Sequence, residues 1–162
     1  MLTAQQVAQY FIFMSIPGTK ENITNLKLQK LLYFAQGEYL AEHGPNTPLF
    51  EDEIKAWAHG PVVPEVYFKY SDYKFMEISK EGTENIIDII ENVEEQENRY
   101  YLDILERVWN QYKQYNGKEL ENITHENGPW KDIRGDLPPF ISTNTTITKK
   151  SIFEYFASPV TA

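Results

Sequence analysis

The chain carries three histidines and no cysteine, so proton transfer near neutral pH falls to imidazole. Two of them stand beside Gly-Pro steps and close to tryptophans, in Trp57-Ala58-His59-Gly60-Pro61 and in His125-Glu126-Asn127-Gly128-Pro129-Trp130. If the fold joins His59 and His125, and a carboxylate such as Glu126 orients one ring, the set has the makings of a general acid–base pair for a small hydrolase or transferase. The plainer alternative is that each ring bonds a backbone carbonyl at its own turn. The third, His43, has the position of a residue complementing a helix C-terminus.

Other catalytic signatures are missing from the sequence. It contains no G-x-S-x-G, no P-loop and no G-x-G-x-x-G, and His125-Glu126 lacks the second histidine of H-E-x-x-H. Without cysteine there is no thiol nucleophile, disulfide or thiolate metal ligand. No histidine pair has the i, i+4 spacing of a helical metal site, so neither metal nor cofactor is expected.

The same residues suit docking. A stiff turn at Gly60-Pro61 would present Trp57, Val62 and Tyr67, and proline geometry reduces the entropy lost when a partner binds. His59, His125 and Trp130 complete this candidate partner-binding set. In the competing reading these side chains fill the core beneath the turn, which suits Val66 and Tyr67 better than Trp57 and His59.

Composition narrows the partner. The 162 residues, 41% hydrophobic and 14% aromatic, supply core enough for one domain. The net charge is −9, and residues 77–106 concentrate ten acids against Lys80 and Arg99. Such a surface repels a phosphate backbone and attracts a basic protein; otherwise it is a solvated helix face. No apolar run approaches the roughly 20 residues that cross a bilayer, and the N-terminus does not read as a signal peptide. A soluble, cytoplasmic protein with neither nucleic-acid nor membrane partner is expected.

Thr3 and Gln6 are spaced as a capping box, with Leu2 and Val7 as a hydrophobic staple, for a helix from about 3 to 14. Thr24 caps a second helix over about 25–43, ended by His43-Gly44-Pro45. Its apolar residues run almost all round, which makes it the central helix. Gln29, Tyr33 and Gln36 share one side of it, there to face a groove or to satisfy buried backbone groups. Residues 49–58 alternate like a short strand, Gly60-Pro61 reads as a turn, and Pro64 opens a helix with Val66, Tyr67 and Tyr70 on one face. Residues 84–93 fit helix by spacing and strand by their β-branched isoleucines.

Farther along, Tyr101, Leu105, Val108 and Tyr112 mark a long amphipathic helix from about Glu95, closed by Asn116-Gly117. Short helices follow over 118–125 and from Pro129 through Trp130 and Ile133, and Pro138-Pro139 marks a loop. Ile147, Thr148 and Ile152 have the spacing of a capped, stapled helix start, docked by Phe153 and Phe156. The expected fold is mainly α: a single compact helical domain over 1–162, with at most a small β element near 49–58 and another candidate at 84–93.

Three stretches together, Leu26-Lys27-Leu28-Gln29-Lys30-Leu31-Leu32-Tyr33, Ala56-Trp57-Ala58-His59-Gly60-Pro61-Val62-Val63-Pro64-Glu65-Val66-Tyr67, and Leu120-Glu121-Asn122-Ile123-Thr124-His125 with Gly128-Pro129-Trp130, resemble the SocA-like Panacea domain. That family includes the prophage proteins called GepA. The residues carrying the likeness are Lys27, Gln29, Lys30, Tyr33, Trp57, Gly60, Pro61, Val62, Tyr67, Thr124, His125, Pro129 and Trp130. The resemblance implies a bacterial or phage antitoxin that neutralises, by direct binding, a toxin encoded beside it. In one branch of the family it implies an adaptor that delivers the toxin to a protease. The family signature contains the Thr-His pair matching Thr124 and His125, whereas the His59 position varies, which favours His125 over His59.

Overall fold

The computed structural model describes residues 1–158, arranged as eight α-helices, a 3-10 turn and a small antiparallel sheet. The organising element is α2 (Asn25–His43), with fourteen of its nineteen residues buried. Thr24 Oγ1 accepts from Lys27 N at 3.3 Å to start it, and Gly44 at φ +95° ends it. A helix apolar on nearly every side must be surrounded, and α1 (Ala4–Met14), α5 (Leu102–Tyr112), α6 (Gly117–Glu126) and α8 (Lys149–Phe156) pack around it. Gln36 uses its side chain inward: its amide donates to Phe50 O at 2.7 Å and accepts from Leu49 N at 2.8 Å.

Local signals hold at the helix starts. Thr3 and Gln6 form the capping box of α1, with Leu2 and Val7 buried. Thr148 Oγ1 accepts from Ser151 N to cap α8, whose Ile152 is buried.

Residues expected as either strand or helix at 84–93 fall in α4 (Ile86–Glu97), with Ile86 and Ile90 buried one turn apart. A helix expected from Glu95 is instead broken, because Asn98 takes the left-handed conformation and α5 begins only at Leu102. The Glu94 carboxylate bridges the break by accepting from Tyr101 N at 2.9 Å and Leu102 N at 2.7 Å, thereby satisfying donors at the new helix start. Asn116-Gly117, expected to close that helix, opens α6: Asn116 is its N-cap, in a capping box with Glu119. A Cβ on Gly117 would lie 2.9 Å from Leu26, so glycine permits the close approach of α6 to α2.

The sheet comprises β1 (Ile54–Trp57), β2 (Gly60–Val62) and β3 (Thr146–Ile147) in the order β2-β1-β3. Trp57 pairs with Gly60 and Ala56 with Pro61, so the reversal lies at Ala58-His59 and the expected Gly60-Pro61 turn is part of a strand. Proline is tolerated there because β2 is an edge strand. The strand expected over 49–58 is confined to its second half; before it, Asp52 Oδ1 accepts from Ala4 N at 3.0 Å. After β2 come α3 (Pro64–Lys69), with Val66 and Tyr70 buried and Tyr67 half-buried, and a 3-10 turn at Ser71–Tyr73. Toward the C-terminus, α7 (Pro129–Arg134) opens on its proline. Among the described residues no helix is long and apolar enough to cross a membrane.

Candidate functional site

One side of α2 grips the hairpin by its backbone. Gln29 Oε1 accepts from Val63 N at 2.9 Å, Gln29 Nε2 donates to Asn25 Oδ1 at 3.0 Å, and Asn25 Nδ2 donates to Tyr67 O at 3.0 Å. Lys30 is fully buried and donates to Pro61 O at 3.0 Å. Burial pushes its pKa down to about 7, opposed by the nearby Glu121 carboxylate. Gly60, at φ +107°, presses against this lysine: a Cβ there would lie 2.7 Å from Lys30 Cε and 3.0 Å from Thr124 Oγ1.

From the far side, α6 and α7 close on the same corner. Glu121, its side chain 2% exposed, pairs with His59 Nδ1 at 2.8 Å and accepts from Lys118 Nζ at 2.6 Å. Burial alone would raise its pKa, but these two hydrogen bonds outweigh that and hold it below the usual carboxylate value. Thr124 Oγ1 donates to Glu121 O at 2.7 Å. His125 lies flat on Trp130, ring centroids 3.7 Å apart, and Arg134 covers the indole at 5.3 Å. Trp130 Nε1 in turn donates to Trp57 O at 2.7 Å. His125 Nε2 and Arg134 Nη1 are buried with no hydrogen-bond partner among the described residues. Burial holds the His125 pKa below its ordinary value; Glu121 opposes this, while Lys30, Lys118 and Arg134 reinforce it.

Between these supports opens a groove of about 530 Å³, lined by Gln29, Lys30, Trp57, His59, Val62 and Tyr67, with Lys74, Phe75 and Ser142 reaching it from two loops. Trp57 and Tyr67 meet edge to face at 5.2 Å, and Trp57 Nε1 donates to Asn144 Oδ1 at 3.0 Å. Phe68 and Phe75 are 63% and 86% exposed.

The structure therefore divides the sequence-derived residues. Trp57, His59, Val62 and Tyr67 line the groove, although Val62 is itself buried. Gly60 and Pro61 are buried, whereas His125 and Trp130 lie outside the lining, with Trp130 buried and bonded to the back of Trp57. Lys27 and Tyr33 brace other parts of the core. Lys27 Nζ donates to Lys20 O and Lys113 O at 3.1 and 2.6 Å, and Tyr33 packs edge to face on Phe156 at 5.4 Å.

His59 takes a carboxylate, as one of the two alternatives had it, and not a backbone carbonyl; that carboxylate is Glu121 and not the suggested Glu126, while the His125 ring stacks on Trp130. Glu121 was missed, although Lys118, Glu121, Thr124 and His125 share helical i, i+3 and i+4 spacing that places them on one side of α6. Lys74 and Phe75 carry no sequence signal at all. Among the described residues, no group of three or more His, Asp or Glu side chains could hold a metal ion.

No solved structure matches the chain. Antitoxin SocA of Caulobacter vibrioides (strain NA1000 / CB15N) is 33% identical to it over 140 residues, which cover 83% of this chain and 72% of that protein. The family described as antitoxin SocA-like, Panacea domain, matches residues 28–131, a span holding α2 from Leu28, the hairpin, α6 and the start of α7. On the strength of both likenesses, the chain belongs to the antitoxin SocA-like, Panacea domain family.

Proposed function

We propose that the chain is an antitoxin that neutralises a cognate toxin, encoded nearby, by direct protein–protein binding at the hairpin corner. The carrying observation is the direction in which polar groups are spent. Lys30, Gln29 and Asn25 along the α2 wall of the groove, and Trp130 from outside it, all bond hairpin or α3 backbone. Trp57 and Tyr67 thus stand on a rigid base with aromatic surface facing the groove. A preorganised aromatic surface loses little entropy on docking, and aromatic anchors dominate interface energies. The partner in this reading is a cytoplasmic protein, and the role is not enzymatic.

Co-expression with the product of the adjacent gene tests it. Growth arrest by that product is relieved, and the two chains elute together. Persistent arrest with no complex would overturn the reading. Delivery to a protease is the second arm, read as a shorter toxin half-life when the chain is present; an unchanged half-life removes that arm alone.

A second reading draws on His59, whose ring is 79% exposed and oriented by Glu121 beside the groove, as a general base of a small hydrolase is oriented. It fits His59 better than His125, whose ring is stacked and whose Nε2 is buried. It requires turnover of a small ester or phosphoester that His59→Ala abolishes while toxin binding survives.

A further inference from the structure

Lys74 adopts φ +56° and ψ −119°, and Met76 N donates to Tyr73 O at 2.9 Å. Residues 73–76 thus form a type II′ turn, whose first central position is normally glycine. Residues 134–137 make the same turn with Gly135 in that place, at φ +53° and ψ −126°, closed by Leu137 N on Arg134 O at 3.0 Å. A lysine held where glycine belongs is strained, and strain of this kind persists at ligand clamps.

This turn delivers two side chains to the groove. The Lys74 ammonium has no partner among the described residues, and Phe75 is 86% exposed. Behind the neighbouring loop residue Ser142, Phe140 and Ile141 are exposed as well, at 81% and 40%. Charge sharpens the picture. In a chain of net charge −9, the groove lining holds no carboxylate but includes Lys30, Lys74 and His59.

We propose that the groove receives a segment of the toxin in which a large apolar side chain is closely followed by an acidic residue. The apolar group lies among Trp57, Tyr67 and Phe75, and the carboxylate pairs with Lys74. This rests on the antitoxin reading and adds the chemistry of the contacting segment. The net charge of −9 disfavours an acidic segment over the chain as a whole, so a groove lining without a carboxylate helps fix where it lands as well as how tightly it is held.

The test uses the full chain with the neighbour-encoded toxin, its activity silenced, in calorimetric titrations. Two capped probe peptides, acetyl-Gly-Phe-Asp-Glu-Gly-amide and acetyl-Gly-Phe-Lys-Lys-Gly-amide, are followed by backbone amide shifts. Lys74→Glu and Phe75→Ala each weaken the toxin complex about tenfold or more, with the unfolding midpoint not lowered. The acidic peptide shifts the amides of Trp57, Tyr67 and Phe75, the basic one does not, and an acid-to-lysine change in the toxin restores binding to Lys74→Glu. Undiminished toxin binding by both variants overturns the proposal while the antitoxin reading stands, as does preference for the basic peptide. A homodimer dissolved by Phe75→Ala also overturns it, since a second copy then fills the groove. Failure of the unaltered chain to bind the toxin removes the antitoxin reading itself, and the proposal with it.

Discussion

The ammonium of Lys30 meets the carbonyl oxygen of Pro61 at 3.0 Å across 31 residues of sequence, wholly shielded from solvent. That bond fastens the hairpin to the central helix, and Gly60 is the residue whose missing side chain makes room for it.

Gly60→Ala should therefore be costly twice over. The left-handed φ costs about 1–2 kcal/mol with a side chain present, and the Cβ overlap with Lys30 adds about 1–3 kcal/mol. Urea unfolding should show a loss of about 2–5 kcal/mol in total. Gly18→Ala, at φ +80° with nothing near its Cβ, should lose only about 1–2 kcal/mol.

Lys30 also sets a pH dependence. Its folded pKa of about 7 lies below its ordinary 10.5, so between these values the unfolded chain binds more protons and stability from this site rises with pH. Lys30→Met removes that slope. It leaves Pro61 O without its donor, at about 1–3 kcal/mol, and the gap from the unaltered protein should widen as unfolding is measured from about pH 7 to about pH 9.

Glu121 acts with the same sign in a more acidic window. Its folded pKa is held below its ordinary 4.5, so its contribution is complete above that value and is lost as pH falls through the folded one. Unfolding curves of Glu121→Gln should differ most from the unaltered protein near neutrality and converge in acid. A gap independent of pH would show that the His59 and Lys118 bonds do not act through charge.

Gly37 stands in the middle of α2, where alanine ordinarily gains about 1 kcal/mol. A Cβ there would lie 2.3 Å from the ring of Phe156, and the overpacking cost of about 1–3 kcal/mol prevails. Gly37→Ala should be destabilising, and combining it with Phe156→Leu should cost less than the two losses added, as a double-mutant cycle will measure.

Lys74→Gly relieves the type II′ turn. Thermal unfolding should move upward, by about 1 kcal/mol in stability, while the toxin complex weakens. Stability gained as binding falls is the signature of strain kept for use.

What the sequence revealed depended on how far apart the cooperating residues lie. Thr3, Thr24 and Thr148 were legible as caps because each partner is three residues away. α2 announced itself through apolar residues on every side. At Gly60-Pro61 local chemistry misled, since a missing N–H and a positive φ suit an edge strand as well as a turn. The break at Asn98 was hidden because Tyr101, Leu105, Val108 and Tyr112 keep their helical rhythm on one side of it. Glu121 escaped notice because its partner His59 is 62 residues away, and no composition rule marks a lysine in a left-handed turn.

The third strand comes from the other end of the chain. Ala56 N donates to Thr145 O at 2.9 Å, Thr143 Oγ1 donates to Ala56 O, and Trp57 is tied to Asn144, 87 residues later. At a translation rate of about 5–20 residues per second, roughly 4–17 s separate the making of Trp57 from that of its tether. A nascent chain or truncated fragment stopping before Ser142 carries the hairpin without its clasp, so no copy gains the completed corner until the ribosome has passed Thr145.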